Sequence, residues 1–592
     1  MRSLPLSCLL VCLSFPLLAD DTAKWPPATG QVITIGRTDA GAPLQAWVDP
    51  DAFNFSDGRT RIAAVIDVGT HQDEYNSLLT HAAQSAITRK QDNICYAVLF
   101  VPPTALPAAG ERDRLLSFPP KGSAYNTADE RTAATIWRFL AWFGPDVVLD
   151  VHSDHVTEQQ ATQNGADDKD GQWSKDCLAA AVKANSIAGC GHATPHRISC
   201  SLALGKQRGS ETPRTDGGLF QTSGQKLPSE SSELHEEVKR RLQRTPAEVV
   251  DQLLVVYGHD LKTVMYQPAL AVLARLETAR MRSDNAQLEQ VAEILQPYLD
   301  GSKVALPDNA NGSHFAGHLI IAEWARERDD AKAIELVRKV AERGFDKSGN
   351  PLTAMPSHSE MSDAVFMSCP ILVSAAELTG DVRYLDMARR HLRFMKKLCV
   401  RDDGLYRHSP LCEAAWGRGN GFPALGLALA LTDLDRMLTQ PDLHADLRQN
   451  ATELREEMRQ SLEAHLSALL LHQDETGMWQ QVIDDPVSYR EMTSTCMIGF
   501  ALTRGVQRGW LSDPEFAAAA ARAWEAVKIR TGPKGELLDV CTGTGKQKTV
   551  EDYYNRTAIL GRDERGGAMA LMFAVERAKL NAALPTNPDK TR

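Results

Sequence analysis

The pattern of apolar positions divides the chain into two parts at about Tyr266. Before that residue, continuous apolar runs of strand length alternate with segments of helical spacing. The predicted strands are Arg61–Val68, Cys95–Val101 and Asp146–Val151, and the predicted helices between them are Leu78–Arg89 and Asp129–Phe143. This alternation predicts an α/β domain with a largely buried sheet over residues 22–262.

Helical spacing dominates the second part, over residues 265–580, and residues 581–592 are expected to form a flexible tail. About eleven helical segments follow one another, joined by short turns rich in Gly, Pro and Asp. This succession predicts stacked helical hairpins, arranged either as a solenoid or as a closed toroid. The solenoid is the weaker alternative because no strict repeat of fixed period is present.

Residues 1–19 have the form of a signal peptide, with Met1-Arg2, an apolar core and an acceptable cleavage site at Ala19. The apolar core is short for a membrane span, and no other apolar run has spanning length. Cys8 and Cys12 lie inside this core, so an odd number of the 11 cysteines remains and a complete disulfide framework is not expected. The sequence therefore predicts a protein exported to the periplasm or secreted.

Composition narrows the possible partners. The chain has 592 residues, 43% of them apolar and 24% charged, as in soluble proteins that have more than one domain. The formal net charge of −11 disfavours binding to nucleic acid or to an anionic membrane. A local basic pocket for an acidic sugar is compatible with this charge, and the oligomeric state is not indicated.

The stretch Cys412–Gly426, CEAAWGRGNGFPALG, carries the strongest chemical signal. Its glycines allow the backbone to approach a ligand or another element, and amides at a helix start favour anionic groups. Arg418 could hold a carboxylate through two hydrogen bonds, and Trp416 offers a flat face for a sugar ring. The alternative is a tight loop in which the arginine serves a structural purpose.

Other loops between the helix pairs also carry polar and aromatic residues. We expect these loops to form the rim of one pocket, although any single loop could be structural. They are Pro307–His314, Glu360–Pro370, Asp402–Pro410, Gly477–Glu491 and Gly561–Gly567.

Together these motifs resemble the unsaturated glucuronyl and rhamnogalacturonyl hydrolases of glycoside hydrolase families 88 and 105. The similar segments are D-x-x-x-M-x-x-P at Asp363, G-L-Y-x-H at His408, W-x-R-G-N-G at Trp416 and G-x-W-x-Q-V-x-D at Trp479. The resemblance spans nearly the whole second part and implies an all-α (α/α)6 barrel. The chain departs from the family at Ser362 and Phe422, where an aromatic residue and a tryptophan are usual.

This resemblance implies a substrate that ends in a 4,5-unsaturated uronic acid, on an acidic oligosaccharide left by a polysaccharide lyase. Asp363 would protonate the enol ether and activate water, and Asp308 would be the second carboxylate. No cofactor is expected for the barrel. Substrate binding would fall to His408, Trp416, Arg418, Asn420, Trp479 and Glu491.

A possible metal site follows the predicted strands of the first part. His71 and Glu74 follow the first strand, and His152 lies at the tip of the third. Two imidazoles and a carboxylate would leave one open position on a zinc ion, as in catalytic zinc sites. The alternative is that these are ordinary surface residues.

This segment resembles the zinc carboxypeptidase superfamily, including its aspartoacylase and succinylglutamate desuccinylase branch. The resemblance implies that His71, Glu74 and His152 hold zinc. The catalytic glutamate would be Glu233, with Glu230 and Glu236 as rivals. Arg131 or Arg138 would bind the substrate carboxylate, although the Asn-Arg pair of that family is not reproduced.

Three functions remain open at this point. The chain could be a bifunctional enzyme with an unsaturated uronyl hydrolase barrel and a zinc-dependent amide or ester hydrolase. It could be a single enzyme whose first domain is an inactive binding module. It could also be a carbohydrate-binding protein without activity, although the presence of both Asp308 and Asp363 disfavours this third possibility.

Overall fold

The computed structural model describes residues 30–67, 94–101, 131–153, 196–202 and 231–583. The predicted signal peptide, the predicted helix Leu78–Arg89 and the residues His71 and Glu74 lie outside these ranges. No helix in the described part of the chain is long and apolar enough to cross a membrane.

The first part contains a mixed sheet in the order β1-β2-β4-β3-β5-β6. Its strands β3, β4, β5 and β6 run parallel to one another, and β2 is antiparallel to both β1 and β4. The strands are β1 (Gln31–Arg37), β2 (Pro43–Val48), β3 (Thr60–Asp67), β4 (Ile94–Val101), β5 (Val147–Ser153) and β6 (His196–Leu202).

The three predicted strands are therefore confirmed as β3, β4 and β5, whereas β1, β2 and β6 were not predicted. Continuous apolar runs identify buried central strands, but β1 mixes exposed and buried positions, which weakens the signal. Helix α1 (Arg131–Phe143) confirms the second predicted helix. All of its residues are buried except Arg131 and Arg138, because it packs between the sheet and the second part of the chain.

The second part is built from helices, most of them paired as antiparallel hairpins. They are α2 (Glu233–Gln243), α3 (Pro246–Leu254), α4 (Tyr266–Arg282), α5 (Asn285–Leu299), α6 (Gly312–Gly317), α7 (Leu319–Arg328), α8 (Ala331–Ala341), α9 (Ala364–Thr379), α10 (Arg383–Cys399), α11 (Gly417–Leu438), α12 (Ala445–Leu470), α13 (Met492–Gln507), α14 (Pro514–Arg530), α15 (Val550–Tyr554) and α16 (Glu564–Ala583).

These helices form an (α/α) barrel with an inner and an outer layer. The inner helices α4, α6 with α7, α9, α11, α13 and α16 contact one another in that order, and α16 returns to α4 and closes the ring. Each inner helix also packs on an outer partner, namely α5, α8, α10, α12, α14 or α3. The inner helices α9 and α11 are buried on nearly all sides, as expected for helices that lie between two layers. The prediction of a closed toroid is confirmed.

The barrel begins earlier in the chain than the predicted boundary at residues 262–265. Helix α3 packs on α16, and its residues Val249, Val250 and Leu253 belong to the apolar core of the barrel. A second core joins the sheet to the barrel, since Met478, Ala526, Ile529, Leu538 and Leu560 pack with residues of the sheet and α1. The two parts therefore share a continuous buried interface.

One segment of the barrel is not helical hairpin. Residues 537–561, which we name the wall segment, contain strand β7 (Leu537–Cys541), the short helix α15 and strand β8 (Ala558–Gly561). The two strands pair antiparallel to each other, and α15 begins with a capping box formed by Thr549 and Asp552. This segment lies between the sheet and the mouth of the barrel.

Candidate active site

A cavity of about 240 Å³ lies at the end of the barrel where the inner helices begin. Helices α4, α9, α11 and α16 each contribute residues from their first turn to it. Its polar lining comprises Tyr266, Gln267, Asn311, Ser313, Ser357, His358, Ser359, Asp363, Trp416, Arg418, Thr544 and Arg565. The rim loops predicted from the sequence thus meet at one cavity in part, through Asn311, Asp363, Trp416 and Arg565.

Asp363 lies immediately before α9 and is 9% exposed. Ser362 holds this turn in place, because its amide donates to the carbonyl of His408 at 2.9 Å and its hydroxyl donates to the carbonyl of Gly419 at 2.7 Å. The Oδ1 atom of Asp363 is buried and makes no hydrogen bond within the described ranges. It lies 3.5 Å from Nε2 of His408, which likewise makes none.

His408 is fully buried behind Asp363. The hydrogen bond at its Nδ1 atom determines the orientation of the ring. Nδ1 lies 2.8 Å from the hydroxyl oxygen of Tyr553. That oxygen also accepts a hydrogen bond from the amide of Gln547 at 3.3 Å, which leaves the tyrosine proton free to be donated to Nδ1. That donation would place the ring proton on Nε2, the nitrogen that lies 3.5 Å from Asp363.

Trp416 and Arg418 form one wall of the cavity. Helix α11 begins at Gly417, five residues before the predicted start at Phe422, so the glycine-rich motif is its first turn rather than a loop. A Cβ atom on Gly417 would lie 2.6 Å from the carbonyl oxygen of Gln480, which explains the need for glycine there. The guanidinium of Arg418 stacks on Trp416 at 4.8 Å.

Both terminal nitrogens of Arg418 are already engaged. Nη1 donates to the carbonyl of Cys541 and Nη2 to the carbonyl of Thr542, each at 2.7 Å. The predicted grip of this arginine on a substrate carboxylate would have to compete with these two bonds. Arg418 therefore supplies positive charge to the cavity and also fixes the wall segment.

Aromatic side chains close the inner side of the cavity. Tyr266 meets Phe366 and Phe422 edge to face, with ring centroids 5.8 and 5.5 Å apart. Burial raises the pKa of Tyr266 to about 12, so its hydroxyl stays protonated and can donate to a ligand. Phe422 thus keeps the aromatic surface at the position where the family usually has tryptophan.

Three residues predicted to bind substrate have backbone partners instead and do not line this cavity. Asn420 bonds to the amide and carbonyl of Tyr406 and to the carbonyl of Trp416. The indole of Trp479 donates to the carbonyl of Leu469 at 2.7 Å. Glu491 caps α13 and accepts from the amide of Cys541 at 2.9 Å. They hold the site's framework, and their predicted contact with substrate has no support in this geometry.

Asn311, and not the predicted Asp308, lines the cavity from the loop that holds both residues. Asp308 is exposed and does not line the cavity, whereas Asn311, three residues later, does. Asn311 also caps helix α6 through the amide of Ser313 at 3.1 Å. The role of Asp308 as second carboxylate remains a prediction.

Tyr266 and Arg565 are among the cavity residues that sequence reasoning did not single out. Arg565 pairs with Asp563 at 3.3 Å, and its Nε atom is buried without a hydrogen bond within residues 231–583 or the sheet strands described above. The signal for Arg565 was present, since the loop Gly561–Gly567 was recognised as part of the rim. Tyr266 begins a helix without any motif around it, so the sequence offered no comparable signal.

The metal site predicted in the first part can be located only through its backbone. Asp67 at the end of β3 is paired in register with His152 in β5. His71 and Glu74 follow that end of β3 but lie outside the described residues. No group of His, Cys, Asp or Glu residues in the described ranges could hold a metal ion.

Glu233 lies at the other edge of the sheet. Its neighbour Ser232 donates through its amide to Asp146 at 2.7 Å, and Asp146 immediately precedes β5. His152 is six residues further along β5, about 20 Å away at about 3.3 Å per residue. This distance argues against Glu233 as the catalytic partner of a metal held near His152.

Arg131 and Arg138, predicted to bind a substrate carboxylate, both pair with the wall segment. Arg131 donates to the side chain of Asn555 at 2.9 Å, and Arg138 donates to Asp539 at 2.9 Å. Asp539 is fully buried. The two arginines thus connect α1 to the barrel.

Comparison with known proteins agrees with the geometry of the barrel. The Glycosyl Hydrolase Family 88 profile matches residues 237–581. The unsaturated rhamnogalacturonyl hydrolase YesR of Bacillus subtilis is 32% identical over 138 residues, which are 23% of this chain and 34% of that protein. An unsaturated 3S-rhamnoglycuronyl hydrolase of Alteromonas sp. is 25% identical over 178 residues, 28% of this chain and 40% of that protein.

Among solved structures, a possible member of the GH105 family from Salmonella enterica serovar Paratyphi A is 20% identical, with a TM-score of 0.47. That match covers 58% of this chain and 94% of the other. The chain spans only 34% and 40% of the length of the two curated relatives. The profile, however, covers more than half of this chain. The protein belongs to glycosyl hydrolase family 88.

Proposed function

We propose that the barrel removes a 4,5-unsaturated uronic acid from the non-reducing end of acidic oligosaccharides, with Asp363 as proton donor. The observation that carries the proposal is the buried Oδ1 of Asp363, which faces the cavity with no hydrogen bond from the described residues. Unsatisfied buried polar atoms are costly unless a ligand or water completes them. The Nε2 atom of His408 and the indole nitrogen of Trp416 are also buried without a hydrogen bond from the described residues.

The electrostatics of the cavity suit an anionic sugar. The starts of α4, α9, α11 and α16 converge on it, and helix starts carry partial positive charge. Arg418 and Arg565 add two formal positive charges to its lining. A uronate carboxylate would therefore be attracted despite the negative charge of the whole chain.

The size of the cavity favours a terminal sugar. Its volume of about 240 Å³ lies below the range of roughly 300–1,000 Å³ found for pockets that hold drug-sized ligands. One sugar ring could enter while the rest of the oligosaccharide stays outside. Hydrolysis would then proceed from the chain end.

In the proposed reaction, the carboxyl group of Asp363 gives its proton to the carbon–carbon double bond of the enol ether. The resulting carboxylate takes a proton from a water molecule, whose oxygen adds to the ring carbon that bears the ring oxygen. The hydrated sugar is a hemiketal that opens and releases the neighbouring sugar. His408 hydrogen bonds to the Asp363 carboxylate between these steps.

The known activities given by the names of the two relatives also support this proposal. Both describe hydrolases of unsaturated sugars, one of a rhamnogalacturonyl and one of a rhamnoglycuronyl substrate. Since this chain spans less than half of either protein, the flanking sugar of its own substrate is left to experiment.

The test is the loss of ultraviolet absorbance from the conjugated double bond. The protein is incubated with unsaturated disaccharides prepared by several polysaccharide lyases, beside an Asp363→Asn variant. Loss of absorbance with the wild type alone is the expected result and identifies the substrate. Binding of a disaccharide without any loss of absorbance would reject the hydrolase in favour of a carbohydrate-binding protein.

We also propose a zinc site in the first part, held by His71, Glu74 and His152. The support is the register that sets His152 beside the end of β3, four residues before His71. Bound zinc would lower the pKa of a coordinated water. Metal content after reconstitution should be about one zinc per chain in the wild type and fall in His71→Ala and His152→Ala. Unchanged zinc content in both variants would leave the first part as a domain without this metal.

A further inference from the structure

The wall segment is held by the sheet on one side and contacts the active site on the other. Arg37, the last residue of β1, donates to both carboxylate oxygens of Glu551 in α15, at 2.7 and 3.0 Å. It also donates to the side chain of Asn555 at 3.1 Å and lies over the ring of Tyr554 at 4.5 Å. The hydrogen bonds from Arg37 lower the pKa of Glu551, so its carboxylate is ionised at neutral pH.

A second contact fixes the start of the segment. Arg138 of α1 donates to Asp539, which also pairs with the buried Arg530 of the barrel. Asp539 has a φ of +57°, a left-handed conformation that a non-glycine residue adopts only with support. The first part of the chain therefore contacts the wall segment at two places, Asp539 in β7 and Glu551 in α15.

On its other side the wall segment contributes directly to the catalytic cavity. Gly543 and Thr544 line the cavity, and the carbonyls of Cys541 and Thr542 hold Arg418. Tyr553, which lies two residues after Glu551 in α15, hydrogen bonds to Nδ1 of His408 at 2.8 Å. His408 in turn faces Asp363 at 3.5 Å.

We propose that Arg37 is a positioning residue for the barrel's active site, acting through α15 and Tyr553 on His408. The first part of the chain is then a structural component of the hydrolase site, whether or not it also holds a zinc site of its own. Loss of Arg37 would release α15, move the Tyr553 hydroxyl and disturb the ring orientation and tautomer of His408. The kinetic side of this proposal rests on the proposed function, but the structural side does not.

The first test needs no activity. Hydrogen–deuterium exchange is measured on peptides that cover α15 and on the peptide that contains His408, in wild type, Arg37→Ala and Arg37→Lys. The control is Arg393→Ala, which removes a two-pronged ion pair with Glu457 on the outer helices, at 2.8 Å for each bond. Exchange in α15 should rise roughly tenfold in Arg37→Ala, less in Arg37→Lys and not at all in the control.

The second test is a double-mutant cycle on kcat with an unsaturated disaccharide. Arg37→Ala should lower kcat roughly tenfold to a hundredfold with a much smaller change in KM, because geometry rather than binding is lost. Tyr553→Phe keeps the ring and removes only the hydroxyl, so it should produce a similar loss. In the Tyr553→Phe background, Arg37→Ala should add less than about a twofold effect.

Each outcome decides the proposal. Unchanged exchange in α15 of Arg37→Ala overturns it, and so do losses in kcat that multiply fully in the double variant. An inactive wild type would reject the proposed function alone, and the exchange experiment would then decide the role of Arg37 by itself.

Discussion

Both ends of the barrel bury charged side chains, but the two ends differ in how many hydrogen bonds and ion pairs those side chains make. At the end where the inner helices finish, Arg326 bonds to Glu323, Glu377 and Asp433 at 2.7, 2.6 and 3.0 Å. Burial opposes the ionisation of Glu323, but the nearby arginines outweigh it and lower the pKa of Glu323 to about 2. At the end where the helices begin, Asp363 and His408 keep polar atoms without hydrogen bonds from the described residues.

This difference indicates that the charged end serves stability and that the end beside Asp363 serves ligand binding. A cavity of about 400 Å³ lies at the charged end, larger than the one beside Asp363, so size alone would not select the cavity beside Asp363. The arginines at the charged end lie where helix carboxyl ends carry partial negative charge, and their carboxylate partners satisfy them. The paired buried charges there indicate a structural network, whereas buried polar atoms without hydrogen bonds from the described residues at the other end indicate a place prepared for a ligand.

The largest expected effect comes from Asp363→Asn. Loss of the proposed proton donor should lower kcat by roughly 10²–10⁴-fold. The free energy of unfolding should change little, because the amide has nearly the same shape as the carboxyl group and Oδ1 of Asp363 makes no hydrogen bond within the described residues. Kinetics by absorbance and unfolding in urea check both parts, and a strong loss of stability would contradict the contrast between the two ends.

The reverse result is expected for Arg326→Ala at the charged end. Its removal leaves buried carboxylates without their partner and should lower the free energy of unfolding by about 3–5 kcal/mol. The kcat of the folded fraction should change by less than about twofold, since the residue is remote from the reacting atoms. A large change in kcat with normal stability would show that the charged end takes part in function.

Arg565→Ala tests how the cavity beside Asp363 binds an anion. Loss of a charge-assisted hydrogen bond, worth about 1.5–3 kcal/mol, should raise KM roughly tenfold to a hundredfold and change kcat less. The matched control is Arg562→Ala, since Arg562 is exposed in the same loop and donates to the carbonyl of Lys534 at 3.1 Å. The variant and the wild type should differ little on a methyl-esterified disaccharide, and an undiminished difference would exclude contact with the carboxylate.

The effect that is smallest at neutral pH is a dependence of stability on pH. Burial lowers the pKa of both His318 and His391 to about 4 from the ordinary value of 6.5. The unfolded chain therefore binds more protons than the folded one between about pH 6.5 and 4, and stability falls as pH is lowered through that window. Each histidine contributes at most about 1.4 kcal/mol per pH unit.

His391→Gln should flatten this dependence, measured as the unfolding midpoint in urea across the pH window. His391 accepts from the amide of Met355 at 3.2 Å and faces the carbonyl of Ala364 at 2.8 Å, so protonation breaks the first of these bonds. The exposed His444 provides the control variant His444→Gln, for which the slope should not change. Equal slopes in all three proteins would contradict the assignment.

Much of the fold could be predicted because its signals are local. Strands β3, β4 and β5 are continuous apolar runs, and the barrel helices follow a period of 3.6 residues. The wall segment was not predicted, although Thr549 and Asp552 at the start of α15 have the spacing of a capping box. Its strands are short and form a two-stranded sheet in the part of the chain that the structure describes, so they leave little pattern.

The sequence by itself determined that helical hairpins follow a region of buried strands, and its motifs singled out Asp363, His408, Trp416 and Arg418. Tertiary structure decided which side chains face the cavity. It turned Asn420, Trp479 and Glu491 towards backbone partners, brought in Tyr266 and Arg565, and directed Arg131 and Arg138 to the wall segment. The reason is that periodicity fixes the buried face of a helix, whereas the contents of a cavity depend on how helices distant in sequence pack together.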